Sequence, residues 1–573
     1  MCGAVTRPRA WAQWVVPALV VLLTLKTTWG VLGTFDIGFD DETIYLEAAH
    51  WAGKRFLPLA DSSPLYPLWY RALSWFEPDP VRLYFVNWFI LTAALPPLLY
   101  ALARRSGAPL AGAAAVSVLW SMSAPVMTWP YVTRFAALVL GLGALAATSL
   151  RDRRLAAAVT AGAMALASYA RAELSMPSFV FAGAVVAWSV FTLVRGRERT
   201  TRSDRVHAAI AIGIAIAVPL GLRALFGDHQ GGRAFFAFGQ HYALNVVEAK
   251  QLQVDPWVLW ERFAREAFPH ATTISEAARE NPAAFAWHLR RNFSTSSRAV
   301  SEVLEPLQFV PRVIATVGIW ALRGTVVAGA LGLVRSALRR WSEKWGTRLD
   351  PRLGAWVPLF LALGVTTAGS ALLIYPREHY LLPLVWLSLA LLAAGAKGLS
   401  APDRLRALWE SRSPQVLRMP GAGSIVLVAA LGCLLVALPT RRETIPSLLA
   451  SREPMPPRVH ENLRTIDVIR HLELRGPIAI LEPDHSRGFY AGLDYRRVAQ
   501  WDKDAPFATF LRARPVDIVV ITPRLRQDPR FASDTEFVVF ADGTGGREDF
   551  EVFPVPETAA IVAVRKSVLA RSR

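Results

Sequence analysis

The chain has 573 residues, of which 53% are hydrophobic and 19% are charged, and its mean hydropathy is +0.30. This composition excludes a disordered protein and argues against an ordinary cytosolic enzyme. The two cysteines, Cys2 and Cys433, lie far apart and exclude a disulfide framework or a cysteine-based metal site. The formal net charge of +18 comes almost entirely from arginine, which is typical of a GC-rich bacterial genome, and its location along the chain decides its role.

Long apolar runs predict the transmembrane segments. A helix needs about 20 mostly apolar residues to cross a hydrocarbon core of about 30 Å. The first run follows a basic N-terminus, as in a signal peptide, but it is long and no small-residue cleavage site follows, which favours an uncleaved helix. About eleven such runs occur, at residues 11–32, 81–103, 108–127, 131–150, 155–170, 174–194, 207–226, 312–334, 353–374, 380–396 and 422–439.

The arginines alternate between the two sides of this predicted membrane domain. If the N-terminus is cytoplasmic, the even-numbered loops are cytoplasmic too, and these loops hold the basic clusters. The sequence therefore predicts a cytoplasmic N-terminus and an external C-terminus, with a basic charge that orients the chain rather than binding nucleic acid. The clusters are Arg104-Arg105, Arg151 to Arg154, Arg195 to Arg205, Arg335 to Arg352 and Lys397 to Arg418.

Three parts of the chain are predicted to face outside: loop 33–80, loop 227–311 and the tail. We therefore expect a membrane domain over residues 1–440 and a small extracytoplasmic α/β domain over residues 441–573. In the tail, an amphipathic pattern predicts a helix at 459–474, and short β-branched runs predict strands. The predicted strands are 477–482, 516–522, 536–540 and 559–565.

Loop 227–311 has several histidines but no metal-binding pattern. No two of His241, His270 and His288 have the spacing of a zinc motif. The segment from Asn281 to Arg291 predicts an amphipathic helix at the membrane interface, with its aromatic residues buried.

Acidic residues cluster directly after the first span. Asp40, Asp41 and Glu42 are consecutive, and a helical pattern follows them. Clustered carboxylates raise the pKa of at least one member, which suits a general base. The alternative is that the acids stabilise the first turn of a helix, and the spacing alone favours neither interpretation.

Further charged residues lie where two tight external turns and one helix end are predicted. Ionisable groups close to the interior of a helical bundle often mark a functional site. Arginine binds phosphate in a bidentate manner, so these positions suggest a lipid phosphate, and the alternative is snorkelling to the headgroups. The residues are Arg134 near the start of the fourth span, Arg171 and Glu173 between spans five and six, and Arg377, His379 and Tyr380 between spans nine and ten.

Together these residues resemble the GT-C class of membrane glycosyltransferases. The resemblance is to bacterial polyprenyl-phosphate-sugar enzymes grouped with protein O-mannosyltransferases and lipid A aminoarabinose transferases, and it spans most of residues 10–400. The family often has a histidine before a Pro-Pro-Leu motif in the first loop, where this chain has Ser62-Ser63-Pro64. The matching residues are Asp41-Glu42 with Tyr45 and Ala48-Ala49, the segment Pro64-Leu-Tyr-Pro-Leu, the turn Arg171-x-Glu173, and the corner Arg377-x-x-Tyr380-Leu-Leu-Pro383.

The resemblance implies a sugar donor on a polyprenyl phosphate and a lipid, glycan or protein acceptor at the outer face of a bacterial inner membrane. Asp41 occupies the family position of the general base, with Asp40 as its substitute. The arginines at the outer corners would stabilise the leaving phosphate. Arginine alone suffices for a monophosphate, so no metal is predicted, although the acidic cluster is compatible with Mg²⁺ or Mn²⁺.

A lipid or sugar transporter or flippase is the alternative function. It would also have many spans and intramembrane charges, but it predicts inverted repeats and polar residues at the bilayer midplane. The sequence has no internal repeat, and its distinctive charges lie at the predicted outer corners. A structural or sensor protein would not need the acidic cluster together with these corners.

Overall fold

A computed structural model gives the architecture of most of the chain. The protein is largely helical, with a small sheet near the C-terminus. The structure describes residues 10–29, 36–39, 41–51, 63–122, 132–195, 201–228, 232–252, 254, 256–304, 357–395, 422–437, 460–483, 486–500 and 503–572.

The first part of the described chain consists of helices only. In chain order these are α1 (Ala12–Thr28), α2 (Asp41–Trp51), α3 (Leu65–Leu73), α4 (Pro80–Arg105), α5 (Leu110–Ser121), α6 (Val132–Ser149), α7 (Arg153–Ser168), a 3₁₀ turn (Ala172–Leu174), α8 (Ser175–Arg195), α9 (Arg202–Phe226), α10 (Gly232–Lys250), α11 (Pro256–Ala267), α12 (Ile274–Glu280), α13 (Pro282–Leu304), α14 (Val357–Leu373), α15 (Glu378–Gly395) and α16 (Ala422–Ala437).

The C-terminal part alternates helices with strands. Its elements are α17 (Glu461–His471), β1 (Ile478–Glu482), α18 (Arg487–Tyr490), β2 (Tyr495–Ala499), α19 (Phe507–Ala513), β3 (Ile518–Ile521), α20 (Pro523–Gln527), α21 (Pro529–Ala532), α22 (Thr535–Asp542), β4 (Phe550–Pro554), β5 (Ile561–Arg565) and α23 (Lys566–Ser572). The strand order is β2-β1-β3-β5-β4. β1 pairs in parallel with β2 and β3, whereas β5 is antiparallel to both β3 and β4.

Four helices are long and apolar enough to cross a membrane: Pro80–Arg105, Val132–Ser149, Ala172–Val194 and Arg202–Phe226. Shorter apolar helices coincide with the predicted spans 11–32, 108–127, 353–374, 380–396 and 422–439. The predicted span 312–334 lies outside the described residues. The four long helices indicate a membrane protein, and the full set of eleven spans remains a prediction.

The surface of the long helices is also typical of a membrane protein. Only 22% of the most apolar stretch of α8 and 28% of that of α9 are buried, compared with 61% for α4 and 67% for α6. Large apolar side chains such as Val180, Phe191 and Leu225 are exposed on α8 and α9. Helices that remain apolar on their exposed face are suited to contact with lipid rather than with water.

Three of the four predicted C-terminal strands are confirmed, and the fourth is wrong. Residues 536–540 belong to α22. The side chain of Asp534 caps this helix by accepting from the N–H groups of Glu536 and Phe537, and Gly543 ends it with a positive φ. Local capping therefore overrides the strand propensity of the Val-Val-Phe run, and two further strands, β2 and β4, escaped prediction.

The chain divides into two compact units. Unit 1 consists of residues 1–29, 57–66 and 89–441, and unit 2 consists of residues 30–56, 67–88 and 442–573. The sequence placed the first external loop, residues 33–80, within a membrane domain that ended at residue 440. Most of that loop instead clusters with the C-terminal tail.

Unit 2 has an apolar core on each face of its sheet. One side is dominated by phenylalanines, including Phe507, Phe531 and Phe540. The other consists mainly of aliphatic residues such as Ile480 and Val562. A sheet covered on both faces accounts for the nearly continuous apolar sequence of β1 and β3.

Small residues allow the helices of unit 1 to pack closely. Alanine and glycine line the contact between α6 and α7, and a Cβ built at Gly143 would overlap with the Cβ of Ala163. Close approach of backbones through small residues is typical of helix pairs in membranes. Asp152 caps the N-terminus of α7, and Thr201 forms a capping box with Asp204 at the start of α9.

We expect Gly143→Ala to destabilise the protein, because the added methyl group forces α6 and α7 apart. Overpacking of this kind costs about 1–3 kcal/mol of unfolding free energy. The melting temperature of the purified protein in detergent measures the effect. Gly183→Ala is the matched control, since a Cβ at that position meets no atom within 4 Å and gains the same helix propensity. Equal melting temperatures for the two variants would contradict close packing at Gly143.

Candidate functional site

The acidic cluster of the first loop opens α2 in unit 2. Asp41 and Glu42 occupy the first turn of this helix, as the helix-stabilising interpretation predicted, and Asp40 lies outside the described residues. The two neighbours differ in environment: Asp41 is exposed, whereas Glu42 is only 5% exposed. The sequence treated them as one cluster, but their burial separates them.

Glu42 is held by polar residues of α3 and α4. Its carboxylate accepts a hydrogen bond from the hydroxyl of Tyr70 and one from Nδ2 of Asn87 at 3.2 Å. Asn87 also donates to the Tyr70 oxygen at 2.8 Å and accepts from Nε1 of Trp69 at 2.7 Å. This network fixes the start of α2 and leaves the adjacent Asp41 at the surface of unit 2.

The later part of α2 is anchored to residues more than 400 positions away. The carboxylate of Glu47 accepts hydrogen bonds from the hydroxyls of Ser486 and Tyr495. Thr43 and Tyr490 share a further hydroxyl–hydroxyl contact at 3.0 Å. Burial, reinforced by the charge of Glu47, raises the pKa of Tyr495, so its hydroxyl stays a donor throughout the physiological pH range. Sequence reasoning missed these anchors, because no local signal pairs residues so distant.

A buried ion pair fixes the turn that carries Ser486. Glu482, at the end of β1, accepts from the backbone N–H groups of Ser486 at 2.8 Å and Arg487 at 3.0 Å. Arg487 and Glu482 are 1% and 0% exposed, and the guanidinium lies 4.5 Å from the ring centroid of Phe39. Burial raises the pKa of Glu482, and the charge of Arg487 opposes that shift. Removing either member of the pair would leave the other charge buried without its ion-pair partner, which is strongly destabilising.

Asp36 joins the beginning of the first loop to α17. Its carboxylate accepts from the backbone N–H groups of Asn462 at 2.8 Å and Leu463 at 3.0 Å, which are free donors at the start of that helix. Burial raises the pKa of Asp36, and these N–H groups oppose the shift. The first loop therefore supplies a helix cap to the C-terminal part of unit 2.

In unit 1, the two predicted corners meet. Nε of Arg171 donates to Glu173 at 2.6 Å, and the Arg171 guanidinium lies 4.8 Å from the ring centroid of Tyr380. The 3₁₀ turn that follows Arg171 holds this pair in place, because the N–H of Leu174 donates to the Arg171 carbonyl at 3.0 Å. The turn between α7 and α8 thus contacts the start of α15, which the sequence predicted only as two positions at similar depth.

Around this contact lies a pocket of about 350 Å³, its open mouth included. The pocket is formed by the first two turns of α6 and α15, the 171–174 turn and residues 363–370 of α14. Its lining combines one ion pair with several hydroxyl groups and apolar side chains. The lining residues are Thr133, Ala136, Arg171, Glu173, Leu174, Leu363, Thr366, Thr367, Ser370, Tyr380 and Pro383.

The other predicted residues of unit 1 lie outside the pocket lining. Arg134 is 1% exposed and donates from Nη1 to Thr92 of α4 at 3.2 Å. The Arg377 guanidinium lies 4.9 Å from the ring centroid of Trp257. Among the side chains that the structure describes, no carboxylate forms an ion pair with Arg377. His379 packs edge-on against Tyr380 with ring centroids 4.3 Å apart.

Two histidines of the second external loop are buried beside the Arg377 corner. His241 stacks on Tyr375 at 5.3 Å, and its Nδ1 lies 2.8 Å from the Ala237 carbonyl. Burial and the charge of Arg377 lower the pKa of His241 to about 3. His288 contacts Asn245 at 3.0 Å through Nδ1, and burial lowers its pKa to about 4. Both imidazoles are therefore neutral at physiological pH.

Within the described ranges, no group of three or more histidine, cysteine or acidic side chains is placed to bind a metal ion. No protein family, curated protein or solved structure matches this chain. The relation to the GT-C class therefore stays a prediction from the sequence.

We expect acidification to destabilise unit 1 through His241. The folded-state pKa of about 3 lies below the unfolded value of about 6.5, so the unfolded chain binds a proton that the folded chain does not. Stability is complete above pH 6.5 and falls as the pH drops towards 3. At pH 5 the loss from this one residue is about 2 kcal/mol.

Melting temperatures in detergent at pH 7 and pH 5 test this expectation. His241→Gln keeps a polar side chain but cannot titrate, so the difference between the two pH values should shrink. His270→Gln replaces an exposed histidine of the same loop and should keep the wild-type difference. An unchanged difference in His241→Gln would show that His241 does not carry this pH dependence.

Proposed function

We propose that the protein is a membrane glycosyltransferase of the GT-C class, which transfers a sugar from a polyprenyl-phosphate donor to an acceptor. The observation that carries the proposal is the pocket of unit 1, where Arg171 and Glu173 meet Tyr380 at the end of an apolar helical unit. Charged groups in such surroundings are costly and are typical of a site for a polar ligand. A lipid with a polar glycosyl headgroup suits this arrangement, because its headgroup matches the polar pocket and its chain matches the apolar helices.

The transfer step assigns a role to each predicted group. The acceptor hydroxyl or amine attacks the anomeric carbon, the bond from that carbon to the phosphate oxygen breaks, and the phosphate leaves with the electron pair. Asp41, exposed at the start of α2, takes the proton of the acceptor as general base. Arg377, which has no carboxylate partner among the described side chains, stabilises the charge on the leaving phosphate.

We further propose about eleven spans, with the N-terminus in the cytoplasm and the C-terminal domain outside a bacterial inner membrane. The alternation of basic loops supports this orientation. The acceptor is then a lipid, glycan or protein on the outer face. The structure adds the apolar exposed faces of α8 and α9, which suit contact with lipid.

We expect Asp41→Asn to lower the turnover of sugar transfer by about 10²- to 10⁴-fold, the usual contribution of a positioned base. The amide keeps the shape of the side chain but cannot accept a proton. Incorporation of labelled sugar from lipid-linked donors into acceptors, with membranes containing each variant, gives the rate. Donor binding should survive in this variant.

Asp40→Asn is the matched control, because it removes an adjacent acid from the same cluster and should retain most of the activity. If Asp41→Asn transfers sugar normally while the protein is folded in the membrane, Asp41 serves only as a helix-stabilising acid. If wild-type membranes move lipid-linked sugar across the bilayer without transferring it, the protein is a flippase.

The orientation predicts different accessibility for two exposed serines. In a chain without Cys2 and Cys433, Ser533→Cys on unit 2 should react with a membrane-impermeant maleimide in intact spheroplasts. Ser203→Cys, in the first turn of α9 beside Arg202 and Arg205, should react only after the membrane is opened. Labelling of Ser533→Cys only in opened spheroplasts would contradict the proposed topology.

A further inference from the structure

We infer that the pocket formed by α6, the 171–174 turn, α14 and α15 binds a sugar ring through its hydroxyl groups. This inference rests on the proposed glycosyl transfer and deepens it, because it assigns the pocket to the sugar and not to the phosphate. Three features of the lining carry the argument: its charge, its hydroxyl groups and its apolar surface.

The charge of the pocket favours a neutral ligand over an anion. Arg171 is neutralised by Glu173, whose Oε1 lies 2.6 Å from its Nε. A phosphate would have to displace this carboxylate or lie against it, which costs free energy. A sugar hydroxyl can instead donate to the carboxylate and accept from the guanidinium at the same time. The Glu173 side chain remains 31% exposed, so part of it is accessible to a ligand.

The hydroxyl groups of the lining provide donors and acceptors that match a sugar. Thr366, Thr367 and Ser370 line the pocket from α14, and Thr133 adds a hydroxyl from the first turn of α6. The Thr366 hydroxyl donates to the Ala362 carbonyl at 2.8 Å and therefore offers a ligand only an acceptor. Thr133 is 1% exposed, and its Oγ1 has no hydrogen-bond partner in the part of the chain that the structure describes. A buried hydroxyl without a partner is rare and costly, and a ligand hydroxyl in the pocket would satisfy it.

The remaining lining supplies an apolar surface. Tyr380 borders the pocket beside Leu174, Leu363 and Pro383. The C–H groups of a sugar ring can pack against such side chains while its hydroxyls reach the polar groups.

The phosphate of the donor has a separate candidate partner close in sequence. Arg377 precedes Tyr380 by one helical turn and lies over Trp257, with no described carboxylate to neutralise it. The same corner therefore presents a neutral polar pocket and a cation that forms no ion pair with any described carboxylate. This division fits a sugar joined to a phosphate.

Saturation-transfer difference NMR on the full-length protein in nanodiscs tests the pocket with free monosaccharides. The probes are mannose, glucose, galactose, N-acetylglucosamine and arabinose, each titrated separately. We expect at least one of them to bind. Glu173→Gln should weaken that binding about tenfold, because it removes a charged acceptor.

Thr133→Val is the sharper variant, since it removes a hydroxyl that has no partner in the described fold. It should weaken sugar binding about fivefold while the melting temperature stays the same or rises. Thr148→Val, at the other end of α6, is the matched control and should leave the sugar affinity unchanged. If no monosaccharide binds, or if both pocket variants bind as tightly as the wild type, the inference is overturned.

Two further arms identify the source of the sugar. If the pocket holds the donor sugar, polyprenyl-phosphate-mannose should displace free mannose. It should also bind more tightly than free mannose, and this difference in affinity should be lost in Arg377→Gln. If polyprenyl-phosphate-mannose fails to displace free mannose, the pocket holds a sugar of the acceptor. If undecaprenyl phosphate binding depends on Glu173 and Thr133 rather than on Arg377, the pocket is a phosphate site and the inference fails.

The outcome for the pocket can be separated from the outcome for the activity. If the protein binds sugars through Thr133 and Glu173 but transfers none, the assignment of the pocket stands and the proposed glycosyltransferase function is overturned. If the protein transfers sugar but both variants bind free sugars as tightly as the wild type, the proposed function stands and the assignment of the pocket is overturned.

Discussion

Polar and charged groups in an apolar helical bundle need partners, and this constraint shapes unit 1. Arg171 pairs with Glu173, Arg134 donates to Thr92, and Nζ of Lys26 donates to the carbonyl of Leu435 at 2.6 Å. The contacts of Arg134 and Lys26 each join two helices and thereby restrict their arrangement, whereas the pair of Arg171 and Glu173 lies within one turn. The buried hydroxyl of Thr133, which has no such partner among the described residues, therefore points to a ligand more strongly than the arginines do.

In unit 2, hydrogen bonds at both ends of α2 hold the acidic segment that begins with Asp41 in place. The start of α2 is held through Glu42, and its later part is held through Glu47 by hydroxyls that follow β1 and open β2. The turn after β1 depends in turn on the buried pair of Glu482 and Arg487. A base must be held close to its productive geometry, so the C-terminal sheet would position α2 in the proposed reaction even though it carries no predicted catalytic residue.

The sequence was most informative where the pattern is local. Apolar runs located the four long apolar helices and five shorter ones, and β-branched runs located β1, β3 and β5, because apolar segments leave a direct mark on composition. The helix at residues 535–542 was missed because its caps, Asp534 and Gly543, outweigh the strand propensity between them. The contacts between the first loop and the C-terminal tail could not be predicted, since hydrogen bonds such as Thr43 to Tyr490 leave no periodic signal. The same is true of the pocket, where the sequence singles out only Arg171, Glu173, Tyr380 and Pro383 among the lining residues.

The arginines, which the sequence placed in one group, differ physically once their neighbours are known. A guanidinium that already faces a carboxylate contributes hydrogen-bond direction but little net charge, whereas one with no ion-pair partner among the described carboxylates keeps its charge. Arg171 belongs to the first kind and Arg377 to the second. A donor in which a neutral sugar is joined to an anionic phosphate needs both kinds at the same corner of the protein. Binding energy at the sugar can then hold the anomeric carbon in place while the charge that develops on the phosphate is stabilised only as the bond breaks.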